Sequence, residues 1–210
     1  MDRPVAWRRD KITAMRAVLV HVTERELADR RSKGLDRWDE MWDGVLHMTP
    51  APNVEHQQIL GSLIEFLAPL VRKSGRGRLF PGINVFGHET NYRVPDLTFV
   101  AAGREHIIHE DGTRGGGPDA VIEIRSPHDE TYDKFPFYAS LGVREVIVID
   151  RDSKRPELYR LAGSQYVLVQ EDARGLVRSE TMNVRFGRTD GEKPRLAVED
   201  ALDPTSRSDI

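Results

Sequence analysis

Asp119-Ala120-Val121-Ile122-Glu123-Ile124-Arg125 is an apolar run of strand character with a carboxylate and a guanidinium set into its end. A buried carboxylate is costly unless it is paired, hydrogen-bonded or bound to a metal, so this strand end is where chemistry is sought first. Residues two apart in a strand share a face, so Glu123 and Arg125 project together while Ile122 and Ile124 meet the opposite layer. Downstream, Ser126-Pro127-His128-Asp129 offers an N-cap at Ser126 and a first helical position at Pro127. The pattern predicts a helix to about Leu141 closed by Gly142, with Pro136 either bending it or delaying its regular part to Phe135. Val143 to Asp150, containing Val146-Ile147-Val148-Ile149, reads as a second strand. Strand, helix and strand of this length predict a right-handed parallel crossover, with a site at the carboxyl ends of the central strands.

Upstream, Tyr92-Arg93-Val94-Pro95-Asp96 leads into apolar Leu97-Thr98-Phe99-Val100, which sets a second carboxylate in a strand context. Strands are expected over 79–86 and 92–100, joined by a turn near Gly87-His88. Asn53 is placed to cap a helix whose apolar stripe is Ile59, Leu60, Leu63, Ile64 and Leu67, with Pro69 kinking or ending it before the basic residues Arg72, Lys73, Arg76 and Arg78. Asp43-Gly44 marks a hairpin. A short strand over 16–22 runs into Thr23-Glu24-Arg25-Glu26, a capping-box pattern for a helix to about Arg31. Residues 156–161 and 165–169 form a further hairpin pattern. The domain reading is a strand and helix extension over 1–36, one α+β or α/β domain over 37–198, and a flexible polar tail over 199–210.

The 210 residues include no cysteine, which excludes disulfides, thiolate zinc sites, iron-sulfur clusters and cysteine nucleophiles. Oxygen and imidazole ligands remain, and they favour hard ions such as Mg2+ or Mn2+. The N-terminal residues show no apolar signal core, and no stretch approaches the roughly 18 apolar residues of a membrane span, so a cytoplasmic location without membrane contact is expected. The formal net charge of −3 neither requires nor forbids nucleic acid, because local basic clusters still bind phosphate. The chain carries no Gly-x-Ser-x-Gly elbow, phosphate-binding loop or His-Glu-x-x-His helix.

Asp96 and Glu123 are therefore the candidate acids for a divalent cation, the competing readings being a turn residue and an internal ion pair. Arg125 can hold a phosphate or pair across the sheet. Lys134 can reach back from the following helix to the strand end, or pair with Glu130 on the surface. Glu55 and His56 open the amphipathic helix, where capping and structural roles compete with ligation. Glu40 is a further candidate acid. The basic residues 72–78 can contact phosphates or be solvated helix-end charges.

Taken in order, Asp39-Glu40-Met41-Trp42-Asp43-Gly44-Val45-Leu46-His47-Met48-Thr49-Pro50, Glu55-His56, Val94-Pro95-Asp96, Val121 to Pro127, Asp133-Lys134, Tyr138 and Gly142-Val143-Arg144-Glu145 make a pattern that resembles the Uma-two (Uma2) family of restriction endonucleases, within the PD-(D/E)XK nuclease superfamily. The resemblance covers about Arg37 to Arg160. It implies a restriction-endonuclease-like core, a mixed central β-sheet flanked by helices, and a Mg2+- or Mn2+-dependent endonuclease acting on DNA. Carried over by position, Asp96 and Glu123 are the metal-binding acids, the Ile124 carbonyl a further ligand, and His56 or Glu55 the supporting residue. Arg125 stands where the superfamily pattern has lysine. Arginine keeps the positive charge but does not give up a proton, and Lys134 is the displaced lysine that the family implies. A homodimer would suit the cutting of both strands. A binding or regulatory module that has lost cleavage and a hydrolase of small phosphoesters are the alternatives.

Overall fold

The strand Ala120–Arg125 lies inside a six-stranded sheet, between Glu145–Asp150 on one side and Leu97–Ala101 on the other. This computed structural model describes residues 17–210. Gly77–Pro81 closes one edge of the sheet, and Pro156–Ala162 with Gln165–Leu168 extends the other as the expected hairpin. Ala120–Arg125 and Glu145–Asp150 are parallel, in a register that sets Glu123 opposite Val148 and Arg125 opposite Asp150. The neighbouring pairs are antiparallel, so the sheet is mixed.

Two apolar layers follow from strand alternation. Ile122, Ile124, Ile147 and Ile149 pack against Ile59, Leu60, Leu63, Leu67 and Val71 of the long helix Val54–Lys73. Each fully buried side chain of this kind contributes about 1.5–3 kcal/mol. On the opposite face Val121, Val146 and Val148 meet Phe137, Tyr138 and Val143. Glu123 belongs to this second face, as its alternation with Ile122 and Ile124 requires.

The helix Val54–Lys73 is capped as expected, the Asn53 side chain accepting from the His56 amide at 2.9 Å. It does not end or break at Pro69 but continues to Lys73. Proline there removes only the bond to the Glu65 carbonyl, on an exposed residue, while Leu67 and Val71 keep the buried stripe intact.

The two strands expected over 79–86 and 92–100 are each split between sheets. Gly77–Pro81 and Leu97–Ala101 stay in the central sheet, whereas Asn84–His88 and Asn91–Arg93 join a seven-stranded sheet that also holds the hairpin Glu40–Trp42 and Val45–Met48. The breaks fall at Pro81-Gly82 and Pro95-Asp96, where proline lacks an amide for either ladder and Gly82 turns with a φ of +56°. The Gly82 amide donates to the Asp96 carbonyl at 3.2 Å, tying the two crossings together. Asp96 thus sits at the seam between sheets.

Of the two readings of 126–141, a helix starting at Pro127 is corrected and the delayed start at Phe135 holds, with Lys134 in the entry turn. His128 has a φ of +66°, which stops helical propagation, and the Ser126 amide donates to Asp129 Oδ2 at 2.6 Å in a turn. A 3-10 turn over Thr131–Lys134 follows, and only Phe135–Ser140 is α-helical, with Pro136 in its first turn where no amide is needed.

At the N-terminus, the strand expected over 16–22 covers Ala17–Leu19 and the capping box of Glu24–Ser32 is formed; the rest of the 1–36 extension, residues 1–16, lies outside the described residues. Residues 199–210, expected as a flexible tail, instead complete a four-stranded sheet. Arg207–Asp209 pairs with Leu196–Asp200, and Ile210 exchanges backbone bonds with Leu196 at 2.8 Å. Its amides find a ladder that polar composition alone does not announce. Among the described residues, no helix is long and apolar enough to cross a membrane.

Candidate active site

Glu123, only 4% exposed, points from the sheet into a cavity of about 750 Å³ whose walls also include Asp96, His56, Glu40, Ile124 and Lys134. The Tyr138 hydroxyl donates to Glu123 Oε1 at 2.6 Å, and the Lys134 ammonium lies 3.2 Å from both carboxylate oxygens. Lys134 is closer still to Glu40 Oε1, at 2.8 Å. The 3-10 turn accounts for this reach: it ends at Lys134 and starts the short helix, so Lys134 and Tyr138, one helical turn apart, face the same strand.

Asp96 approaches from the seam. Its Oδ2 accepts from the Ile124 amide at 2.7 Å and its Oδ1 lies 3.1 Å from His56 Nε2. The structure therefore brings Asp96, Glu123, Ile124, His56 and Lys134 to one cavity. It does not bring Glu55, whose carboxylate pairs with Lys154 on the outer side of the helix. Nor is Arg125 free: it donates to Asp150 Oδ2 at 2.6 Å and lies over the Tyr132 ring at 5.6 Å. Arg72 and Lys73, at the far end of the long helix, lie about 25 Å of helix beyond His56 in the cavity wall, given about 1.5 Å per residue. Arg76, in the same basic stretch, is held by Asp200 at 2.9 Å.

A family model described as "Uma2: Putative restriction endonuclease" matches residues 31–198. The chain belongs to the Uma2 family. Among solved structures, this Uma2 chain is similar to one described as a putative nuclease belonging to DUF820 from Anabaena variabilis ATCC 29413. The two share 21% identity at a TM-score of 0.55, over 69% of this chain and 82% of the other. That likeness carries the fold, which is restriction-endonuclease-like. No curated protein matches the chain.

The electrostatics of the Uma2 cavity are set by burial and by its crowd of acids. Burial pushes the Glu123 carboxyl up to about 8; Lys134 and the Tyr138 hydroxyl oppose this, while Asp96 and Glu40 add to it. Burial alone would lower Lys134, but the charges of Glu123 and Glu40 outweigh it and hold the ammonium above its usual range. Burial, then Glu123 and Glu40, raise Tyr138, which stays a phenol able to donate. Among the described residues, no three of His, Asp and Glu gather closely enough to enclose a metal ion by themselves.

Tyr138 stands in the family pattern but received no role from the sequence. The signal was its spacing of four from Lys134. Glu40, read as a further ligand, is instead bonded on both oxygens: Oε1 by the Val94 amide at 2.9 Å and by Lys134, Oε2 by Trp42 Nε1 at 2.9 Å.

Proposed function

We propose that the chain is a Mg2+- or Mn2+-dependent endonuclease that hydrolyses phosphodiester bonds of DNA. The observation that carries this reading is the convergence of two carboxylates from neighbouring chain segments, Asp96 and Glu123, with a buried lysine on one cavity. The donor chemistry fits a hard cation. The charge of Asp96 adds to the cost of ionising Glu123, a repulsion that a cation relieves, and Mg2+ commonly keeps several waters while held by only one or two carboxylates. Asp96 and Glu123 would hold the ion, with the Ile124 carbonyl beside them and His56 orienting Asp96.

A bound divalent ion supplies Lewis-acid polarisation of phosphate oxygens and a more acidic water. The protein's own groups do the rest. Lys134 presents a fixed positive charge to the charge developing on the scissile phosphate, and burial makes that charge worth more than it would be in water. Tyr138 fixes one oxygen of Glu123, and the Ile124 amide fixes one oxygen of Asp96. The 48–53 segment and the 126–131 turn line the same cavity, beside the two acids.

The test is plasmid cleavage by the full chain with Mg2+ or Mn2+, beside Asp96→Ala and Glu123→Ala. Wild type should nick or linearise the plasmid, and each variant should lose about a thousandfold or more, equivalent to about 4 kcal/mol of transition-state stabilisation. A wild type that binds DNA without cutting it would sink the catalytic reading and leave the binding-module alternative.

A further inference from the structure

We propose that Glu40 is a positioning residue that keeps the Lys134 ammonium in place once Glu123 has given its charge to a cation, and that Glu40 is not itself a ligand. The inference rests on the reading of Asp96 and Glu123 as the cation-binding pair. Glu40 lies on the hairpin strand Glu40–Trp42 and is 4% exposed. Its orientation is fixed from several sides. The Val94 amide and the Lys134 ammonium meet Oε1, and the Trp42 indole N–H meets Oε2.

Trp42 is itself immobilised. Its ring stacks on His47 at 4.3 Å, and the Arg93 guanidinium lies 4.1 Å from its centroid while also covering Phe137 at 4.3 Å. A carboxylate committed to these donors has little lone-pair capacity left for a metal. It has what a buried lysine needs, a counter-charge that does not move.

That need arises because Lys134 is shared. It sits 2.8 Å from Glu40 and 3.2 Å from Glu123. A cation that draws on Glu123 weakens one of these contacts, and a buried ammonium left without a counter-ion would be drawn out of the cavity toward solvent. Glu40, at 2.8 Å, retains it facing the cavity where a phosphate would enter. Glu40 thereby separates two demands on Glu123, holding the cation and anchoring the lysine.

The experiment follows the Lys134 side-chain ammonium by proton–nitrogen NMR on full-length, lysine-labelled protein, where only a sequestered ammonium gives a persistent signal. The signal should be present in wild type and in Glu123→Gln, which mimics the loss of that charge, and absent in Glu40→Gln combined with Glu123→Gln. Mg2+ titration by calorimetry should give Glu40→Gln an affinity within about threefold of wild type, while its plasmid cleavage falls about tenfold or more. Thermal melts confirm that each variant is folded, and Glu40→Asp, which keeps the charge, should restore part of the signal in the Glu123→Gln background. A signal that survives in the double variant overturns the proposal, as does a tenfold or greater loss of Mg2+ affinity in Glu40→Gln. If wild type binds no Mg2+, the cation reading of Asp96 and Glu123 falls, but the lysine signal still decides the role of Glu40.

Discussion

Glu123 and Glu145 are both buried glutamates on the central parallel strand pair, one near the carboxyl end of its strand and the other at the start of the next. Their surroundings are opposite. Glu145 accepts from the Ser179 hydroxyl at 2.7 Å, the Thr181 hydroxyl at 2.5 Å, the amides of Glu180 and Thr181 at 3.0 and 3.1 Å, and Arg160 at 3.1 Å. These donors overcome burial and hold its carboxyl below the usual range. Glu123 has one hydroxyl and a shared lysine, faces Asp96 and Glu40, and is pushed up to about 8. Burial of a carboxylate therefore does not mark function by itself. What separates a structural acid from a candidate reactive one is whether the fold supplies enough donors to satisfy it.

The sign of each contribution to stability follows. A depressed carboxyl such as Glu145 stabilises the fold above its unfolded pKa, and that contribution is lost as pH falls through the folded value. The raised Glu123 carboxyl does the reverse: its contribution is present below its unfolded range near 4.5 and is lost as pH climbs through about 8. The largest expected effect on the comparison is thus Glu145→Gln, which puts an amide among donors matched to a carboxylate and should destabilise the protein by about 3 kcal/mol at neutral pH. Glu123→Gln, which imitates the protonated acid without the cost of protonating it at pH 7, should not destabilise the protein and should stabilise it by up to about 3 kcal/mol. Urea unfolding of both variants at pH 7 decides this, and equal losses would erase the distinction between the two sites.

The chemistry at Glu123 gives a second, smaller handle. A group that retains a proton below pH 8 must release it to hold Mg2+, so affinity should rise about tenfold per pH unit from about pH 6 to 7 and level off above 8. Calorimetric titration across that range in two buffers of different ionisation enthalpy counts the released proton. A flat affinity from pH 6 to 8 would remove Glu123 from the cation's ligands or its carboxyl from the raised range.

Much of this arrangement was legible in the sequence because strand alternation is strict. The spacing of Ile122, Glu123 and Ile124 alone puts the acid on the face opposite the two isoleucines, and the Asn53 cap and apolar stripe locate the long helix, which the structure then packs on the isoleucine face. Three features were not legible, each for a physical reason. Asp119, immediately before the strand that carries Glu123, is equally buried, but Arg104, Arg144 and the Ala101 amide satisfy it, and those partners are distant in sequence or in loops. The seam holding Asp96 depends on two proline breaks that meet only in three dimensions, at the Gly82 and Asp96 bond. Pro136 announces the late start of the 126–141 helix at Phe135, but the turn that precedes it depends on a left-handed His128, a conformation that its residue type does not require.

Arg125 sharpens the comparison at the smallest scale. It occupies the position at which the superfamily pattern has lysine, and a sequence reading assigns it a share of the charge at the site. The structure gives Asp150 first claim on it, across the parallel register and at 2.6 Å, with Tyr132 beneath. Part of its side chain is exposed, so the pair with Asp150 is screened and contributes little to stability. Lys134 has neither escape, being buried against Glu123 and Glu40. Arg125→Ala should accordingly reduce plasmid cleavage by less than about tenfold, whereas Lys134→Ala should reduce it by about a hundredfold or more. Turnover measured for the two variants side by side at saturating Mg2+ separates them. The reverse ranking would mean that Arg125 leaves Asp150 when substrate is bound, and would return the phosphate-facing charge to the strand end.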